Sequence, residues 1–230
     1  MNTNNQLLCA WTGLVCAILF YVALWPLAHF IPPYSPLASA TEVVAKYEGN
    51  RTGIRLGMIV LQIAGALFVP FAAVISSQMK RIEGQFSALS STQLASAVGL
   101  AIFLQLPAMT FTVTAFRPER SPELILLLND LAWIYLMMAI AAASVQNFAI
   151  GFTILSDKNP NPVFPRWVAY ANFWVGIGYL PGNLLTFFKV GPFAWDGLFS
   201  FYFVALIFAI WFCVMIPAVF KAIRQQAETR

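Results

Sequence analysis

The sequence predicts an all-α, polytopic membrane protein: a six-transmembrane-helix bundle with a short interfacial helix in the first outer loop. Of the 230 residues, 60% are hydrophobic and only 10% are charged. Soluble domains average roughly 45–50% apolar and about 25% charged residues, so a soluble fold of this composition would lack polar surface. The apolar residues also form six runs near the ~20 residues that a membrane-spanning helix needs. Most of the charged residues lie between these runs.

The first run is too long to be the core of a signal peptide, and the MNTNNQ that precedes it carries no basic residue. No linker or low-complexity segment separates the runs. Residues 1–230 are therefore predicted to form a single transmembrane domain. The predicted spans cover residues 7–31, 54–79, 93–115, 124–150, 167–188 and 198–220.

The loop between the first two spans, residues 32–53, predicts a short surface helix. Ser39 and Glu42 have the S-x-x-E spacing of a capping box, and Gly49 is a typical residue for a helix C-terminus. We expect the helix to lie flat on the outer surface, either as a structured connector or as a lid over a site below it. Its apolar face is formed by Val43, Val44 and Tyr47.

The numbers of lysines and arginines in the loops predict the orientation, because short cytoplasmic loops carry an excess of these residues. The narrow majority on the side of the termini predicts that both termini are cytoplasmic. That side has seven, namely Lys80, Arg81, Lys158, Arg166, Lys221, Arg224 and Arg230. The other side has six, namely Lys46, Arg51, Arg55, Arg117, Arg120 and Lys189.

The residue content argues against several kinds of catalytic or cofactor site. With one histidine, His29, the chain lacks the ligands for a histidine-bound metal or a bis-histidine haem. Its lysines lie in loops or at span ends, which argues against a retinal Schiff base, and no GxSxG, P-loop or HExxH motif occurs. No cofactor or bound metal is therefore predicted. The net charge of +4 is interpreted as a signal of orientation rather than of nucleic-acid binding.

Asn129 and Asp130 lie together inside the apolar run LLLNDLAWIYLMM. An aspartate near the centre of a membrane helix costs about 2.5–3.5 kcal/mol on insertion scales, so Asp130 is expected to face the protein interior and to have a partner. We expect it to be ionised and paired with Arg55, with Arg117 as the second choice.

Polar residues on the other spans complete the candidate binding set. Two interpretations stay open: the residues line a polar pocket in the outer half of the bundle, or they hold the helices together by hydrogen bonds. The segment YLPGN at 179–183 also predicts a loosened helix. The candidate binding residues are Asp130, Asn129, Gln62, Gln105, Thr112, Tyr179, Asn183 and Arg55.

Several segments resemble a family of bacterial six-span integral membrane proteins. They are FRPERSPELILLLNDLAWIY, NPVFPRW and FFKVGPFAWDGLFSFY, with NRTGIRLGM and QMKRIEG earlier in the chain. The resemblance covers most of the sequence. It implies a location in the bacterial inner membrane and a count of six spans, and it implies no activity and no site residues.

These observations predict a protein that binds or transports a small apolar or amphipathic molecule through a polar pocket in the outer half of the bundle. The alternative is a non-catalytic subunit or scaffold of a larger membrane complex. A third hypothesis, an enzyme acting on a lipid-soluble substrate, would use Asp130 as acid or base. Expected partners are the lipid bilayer and a small ligand, a membrane protein or a second copy, but no nucleic acid. Aromatic residues expected to be exposed on the last span are Phe199, Phe201, Phe203, Phe208 and Phe212.

Overall fold

The computed structural model describes residues 3–84 and 86–228, and every regular element in this part of the chain is helical. Three short segments have other helical forms. Ala23–Leu27 is a π-helical turn after the first α-helix, and Leu198–Tyr202 is a π-helical turn before the eighth. Leu180–Phe187 is a 3₁₀ segment after the seventh α-helix. The α-helices are α1 (Thr3–Val22), α2 (Ala40–Gly49), α3 (Arg51–Glu83), α4 (Ala88–Phe116), α5 (Pro122–Met137), α6 (Ile140–Ser156), α7 (Arg166–Gly178) and α8 (Phe203–Glu228).

Within the described residues, five helical stretches are long and apolar enough to cross a membrane. The chain therefore has the helices of a multi-pass membrane protein. The predicted span 167–188 is not one of the five, because α7 ends at Gly178 and the backbone continues as the 3₁₀ segment. The five stretches are Thr3–Leu27, Arg51–Glu83, Ala88–Phe116, Pro122–Ser156 and Leu198–Glu228.

The helices form one bundle in which α3 and α4 are central. Helix α3 packs most extensively against α4 and α1, α4 also packs against α5 and α6, and α7 and α8 close the other side against α6 and α1. Gln6, Gln78 and Gln226 meet through their side chains at one end of the bundle, which we call the terminal end. The opposite end carries α2 and is called the α2 end.

Helix α3 and the π-helical turn that follows α1 approach closely because α3 has a glycine at the contact. A Cβ atom on Gly57 would lie 2.7 Å from the carbonyl oxygen of Ala23 and 3.2 Å from Cβ of Ala28. Small residues of this kind let helix backbones approach in a membrane, where dispersion contacts and hydrogen bonds, rather than hydrophobic exclusion, hold helices together.

A helix, α2, is present at the position predicted for the surface helix, and its capping box is formed. The backbone N–H of Glu42 donates to Oγ of Ser39 at 3.3 Å, and the backbone N–H of Ser39 donates to the Glu42 carboxylate at 2.7 Å. Val43 and Tyr47 are buried, so the apolar face of α2 is turned towards the bundle. The prediction of a helix at this position is confirmed.

Three of the five phenylalanines named on the last span are buried, so the prediction that they are exposed is wrong. Phe201, Phe208 and Phe212 are each less than a tenth exposed. Phe212 packs against the rings of Phe68 and Phe71 on α3. The exposed phenylalanine is Phe199, at the start of the π-helical turn, while Phe203 is half-buried.

Candidate functional site

The α2 end holds Asn129 under the buried face of α2. The Tyr47 hydroxyl donates to Oδ1 of Asn129 at 3.3 Å, and Nδ2 of Asn129 donates to Oδ1 of Asp130 at 3.4 Å. Tyr47 and Asn129 are buried, and Asp130 is half-buried. Burial raises the pKa of the Tyr47 hydroxyl well above its ordinary value, so this hydroxyl stays a neutral donor. The arrangement fastens α2 to α5.

An aromatic cluster of Phe30, Tyr34, Phe111 and Trp133 lies beside this contact. The ring centroids of Phe30 and Phe111 are 4.6 Å apart, and those of Phe30 and Trp133 are 5.3 Å apart. The Trp133 side chain is fully buried, and its Nε1–H has no hydrogen-bond acceptor in the part of the chain that is described. The Lys46 ammonium lies 4.2 Å from the centre of the Tyr34 ring, which adds a cation–π contact from α2.

Arg55 does not pair with Asp130. Its Nη2 donates to the carbonyl oxygens of Ala115 at 2.8 Å and Phe116 at 2.9 Å. These carbonyls belong to the last turn of α4, where backbone acceptors have no partner within the helix. The expected ion pair is therefore wrong, because the end of α4 binds the guanidinium instead. Within residues 3–84 and 86–228, Asp130 forms no ion pair with Arg117 either, and Arg117 is exposed.

The remaining predicted site residues are spread over the bundle. Thr112 donates to the carbonyl of Ala108 on its own helix at 2.7 Å. Asn183 donates to the carbonyl of Leu180 at 3.4 Å within the 3₁₀ segment. The half-buried Gln62 and Gln105 lie on α3 and α4, and Gln105 packs against Gly65. Among the predicted site residues in the described chain, Asn129 and Asp130 are the pair joined by a side-chain hydrogen bond.

A different cavity, which we call the apolar cavity, lies between α1, α4, α6 and α8. Its volume is about 70 Å³, and Tyr179 is the one predicted site residue in its wall. The sequence did not indicate the others, which apart from Tyr21 are apolar and indistinguishable in composition from the rest of the spans. They include Phe20, Leu24, Leu104, Met137, Ala143 and Phe208.

Interrupted helices surround the apolar cavity. Met137, Ala139 and Ile140 come from the break between α5 and α6, which the sequence predicted as one continuous span. Tyr179 follows the last residue of α7, and Phe201 lies in the π-helical turn before α8. Short 3₁₀ and π segments inside helices often mark functional sites, and broken membrane helices often form the binding sites of transporters.

Tyr21 closes the cavity on the side of α1 and α8. Its hydroxyl donates to the carbonyl oxygen of Ala205 at 2.6 Å, and both residues line the cavity. The bond joins α1 to the first turn of α8 in the wall of the cavity. With two tyrosines in an otherwise apolar wall, the cavity suits a small apolar molecule or the tail of an amphipathic one.

The terminal end has a buried polar network that the sequence did not indicate. Nε2 of Gln78 donates to the side-chain oxygens of Gln6 and Gln226, and Oε1 of Gln78 accepts from Nη1 of Arg81 at 2.6 Å. Arg81 also donates to the carbonyl of Ala222 at 2.9 Å. The network joins α1, α3 and α8.

Elsewhere in the described chain, the buried side chains of Gln93 and Gln146 have no hydrogen-bond partner.

In the described residues, no group of three or more His, Cys, Asp or Glu side chains is placed to hold a metal ion. The chain matches no protein-family model, no curated protein and no solved structure. The evidence for the candidate site is therefore its geometry in this structure.

Proposed function

We propose that this chain is a membrane protein that binds a small apolar or amphipathic molecule in the apolar cavity, as a binding or transport protein. The supporting observation is an apolar space in the bundle whose wall includes residues at four interruptions of the helices, namely Leu24, Ala139, Tyr179 and Phe201. Burying apolar surface there is favourable by roughly 25 cal/mol per Å². The volume of about 70 Å³ is smaller than the roughly 300–1,000 Å³ of typical ligand pockets, so a larger ligand requires side chains such as Met137 to move.

The membrane arrangement we propose has six crossings, with the 167–188 segment as the fifth. Its 13 residues of α-helix and eight residues of 3₁₀ helix rise roughly 20 Å and 16 Å. Together they exceed the ~30 Å thickness of the hydrocarbon core. In this proposal α2 lies at the outer interface. The membrane is a bacterial inner membrane, and both termini are cytoplasmic; Arg230, used in the charge comparison, lies outside the described residues.

Cysteine labelling tests the orientation. In a variant whose three native cysteines are replaced, Thr3→Cys and Ala227→Cys should not react with a membrane-impermeant maleimide added to intact cells. Glu48→Cys, on the exposed side of α2, should react. Labelling of Thr3→Cys or Ala227→Cys, with Glu48→Cys protected, would reverse the orientation.

A cavity-filling substitution tests the binding proposal. Ala143 lines the cavity, whereas Ala141, two residues earlier on α6, is exposed. We expect saturable xenon binding to the purified protein, measured by ¹²⁹Xe NMR, to be lost in Ala143→Leu and kept in Ala141→Leu, because small apolar cavities take up xenon. Mass spectrometry of molecules retained from native membranes should show the same contrast. If the wild type binds no xenon saturably, the cavity is not a binding site.

The alternative, a non-catalytic subunit or scaffold of a larger membrane complex, is favoured by one face of α7. Trp167, Tyr170 and Trp174 lie on that face, and Trp174 is 76% exposed. Aromatic residues are enriched at protein interfaces. This alternative requires a stoichiometric partner that purifies with the wild type in mild detergent and is lost in Trp174→Ala.

A further inference from the structure

A continuous groove runs along the outside of the bundle between α1 and α8. Its part at the terminal end has a volume of about 740 Å³ and is lined by Trp11, Phe220, Lys221 and Arg224 among others. The part towards the bundle centre has a volume of about 530 Å³. Leu14, Ile216 and Pro217 line both parts, so the two form one surface, which we call the α1–α8 groove.

The mouth of the groove carries positive charge. Lys221 and Arg224 are three residues apart on α8, a spacing that places them on one face of the helix. Both are exposed, and neither has a hydrogen bond or ion pair with another described residue. Glu228 also lies at the mouth and offsets one of the two charges. The net charge of these three side chains is therefore positive, and both cations are available to an anion.

Beyond the mouth, the groove contains no charged side chain. Its inner part is lined by small and apolar residues, including Ala17, Ala209 and Cys213, and it ends near Tyr21 and Val22. From Trp11 to Val22, α1 rises roughly 16 Å at 1.5 Å per residue. This is about half of the ~30 Å hydrocarbon core of a bilayer, which is the depth of one leaflet.

We propose that the α1–α8 groove binds an anionic phospholipid of the leaflet at the terminal end, with its phosphate between Lys221 and Arg224 and an acyl chain along the apolar part. Charge complementarity at the mouth and an uncharged channel of one-leaflet depth favour this occupant over a soluble anion or a peptide. Trp11 lies at the level where tryptophan is enriched at membrane interfaces. Basic pockets between membrane helices bind anionic lipid head groups in this way.

The experiment compares two lipids on the purified full-length protein. Native mass spectrometry would measure the binding of phosphatidylglycerol and of phosphatidylcholine with the same acyl chains. We expect phosphatidylglycerol to bind the wild type several-fold more tightly. The double variant Lys221→Gln/Arg224→Gln should lose about tenfold in phosphatidylglycerol affinity, since each basic residue near an anionic head group contributes appreciably.

The control variant Lys158→Gln/Arg166→Gln removes the same charge from two exposed residues outside the groove. These residues lie in or beside the loop that Gln225 of α8 contacts through the carbonyl of Asn161, so they belong to the same end of the bundle. The control should bind both lipids as the wild type does. Ala209→Phe, in the apolar part of the groove, should weaken the binding of both lipids while keeping the preference for phosphatidylglycerol.

Three results would overturn the proposal. The first is equal affinity of the wild type for the two lipids, and the second is an equal loss of phosphatidylglycerol affinity in both charge variants. The third is competition by glycerol phosphate at concentrations similar to those of the lipid, because a head group alone would then account for binding. Since the groove lies outside the apolar cavity, xenon binding in Lys221→Gln/Arg224→Gln should stay as in the wild type.

Discussion

Gln78→Leu is expected to destabilise the folded protein by about 2–5 kcal/mol, the largest effect among the substitutions considered. Gln78 makes three side-chain hydrogen bonds, to Gln6, Gln226 and Arg81. Interhelical hydrogen bonds in membrane proteins contribute roughly 0.6 kcal/mol on average and up to about 1.7 kcal/mol. Leucine removes all three, and it leaves Gln6, which is buried, without its donor. The free energy of unfolding, measured by titration with a denaturing detergent, checks the value.

Gln62→Leu provides the matched control, since it makes the same chemical change on the same helix. Gln62 is half-buried and forms no hydrogen bond with any other described residue, so we expect a change within about 0.5 kcal/mol, as for most surface substitutions. Equal unfolding free energies for the two variants would mean that the Gln78 network contributes nothing to stability.

Gly57→Ala is expected to cost about 1–3 kcal/mol, the usual range for inserting a methyl group into a packed site. The new Cβ would lie 2.7 Å from the backbone carbonyl oxygen of Ala23. A backbone atom cannot rotate away as a side chain does, so α3 and the π-helical turn Ala23–Leu27 have to separate. Because this turn continues α1, which packs extensively against α3, separation also loosens the contacts between α1 and α3. The thermal unfolding midpoint of the purified protein is the measurement.

Gly49→Ala is the corresponding control. A Cβ at Gly49 meets no atom within 4 Å, and the residue lies in the last turn of α2 without a positive φ. Alanine has the higher helix propensity, so this substitution should leave the unfolding midpoint unchanged or slightly raised. A Gly57→Ala variant as stable as Gly49→Ala would contradict the close approach of α3 and the π-helical turn that follows α1.

Local chemistry explains which features of the fold could be predicted. The Ser39–Glu42 capping box depends on residues three apart, and it forms as the spacing indicates. The loosened helix expected at YLPGN is also present, since α7 ends at Gly178 and the 3₁₀ segment begins at Leu180. The break between α5 and α6 has no proline or glycine at its centre, around Met138 and Ala139, so tertiary packing determines it and no local signal was available.

The inward and outward faces of the spans could not be predicted as well. Lipid tails are as apolar as leucine, so hydrophobicity does not distinguish a helix face in the core from a face in lipid. For this reason the sequence did not reveal that Phe201, Phe208 and Phe212, which were expected to be exposed, are buried. For the same reason the sequence did not indicate most residues of the apolar cavity. Only Tyr21 and Tyr179 carry a polar side-chain group there, and of these two only Tyr179 was predicted to be a site residue.

The partner of Asp130 could not be predicted because the position of a residue along a span does not show which other groups compete for Arg55. Arg55 was expected to reach a carboxylate in the same half of the bundle. The carbonyls at the end of α4 also needed a donor, and they bind the guanidinium. A charged side chain is visible in the sequence, whereas the unpaired backbone carbonyls at the end of every helix are not. The competition between the two kinds of acceptor therefore appears only in the structure.

The Gln78 network also bears on the order in which the chain assembles during synthesis. Gln6 is made early, Gln78 follows, and Gln226 lies near the end of α8. At roughly 5–20 residues per second, the ribosome needs about 10–40 s to add the ~180 residues between α1 and α8. Until α8 has been made, the flank of α1 that α8 later covers faces lipid or the insertion machinery, and the amide of Gln78, once synthesised, has no acceptor from α8. Nascent chains stalled before α8 should therefore be degraded faster by membrane quality-control proteases than chains in which α8 has packed against α1.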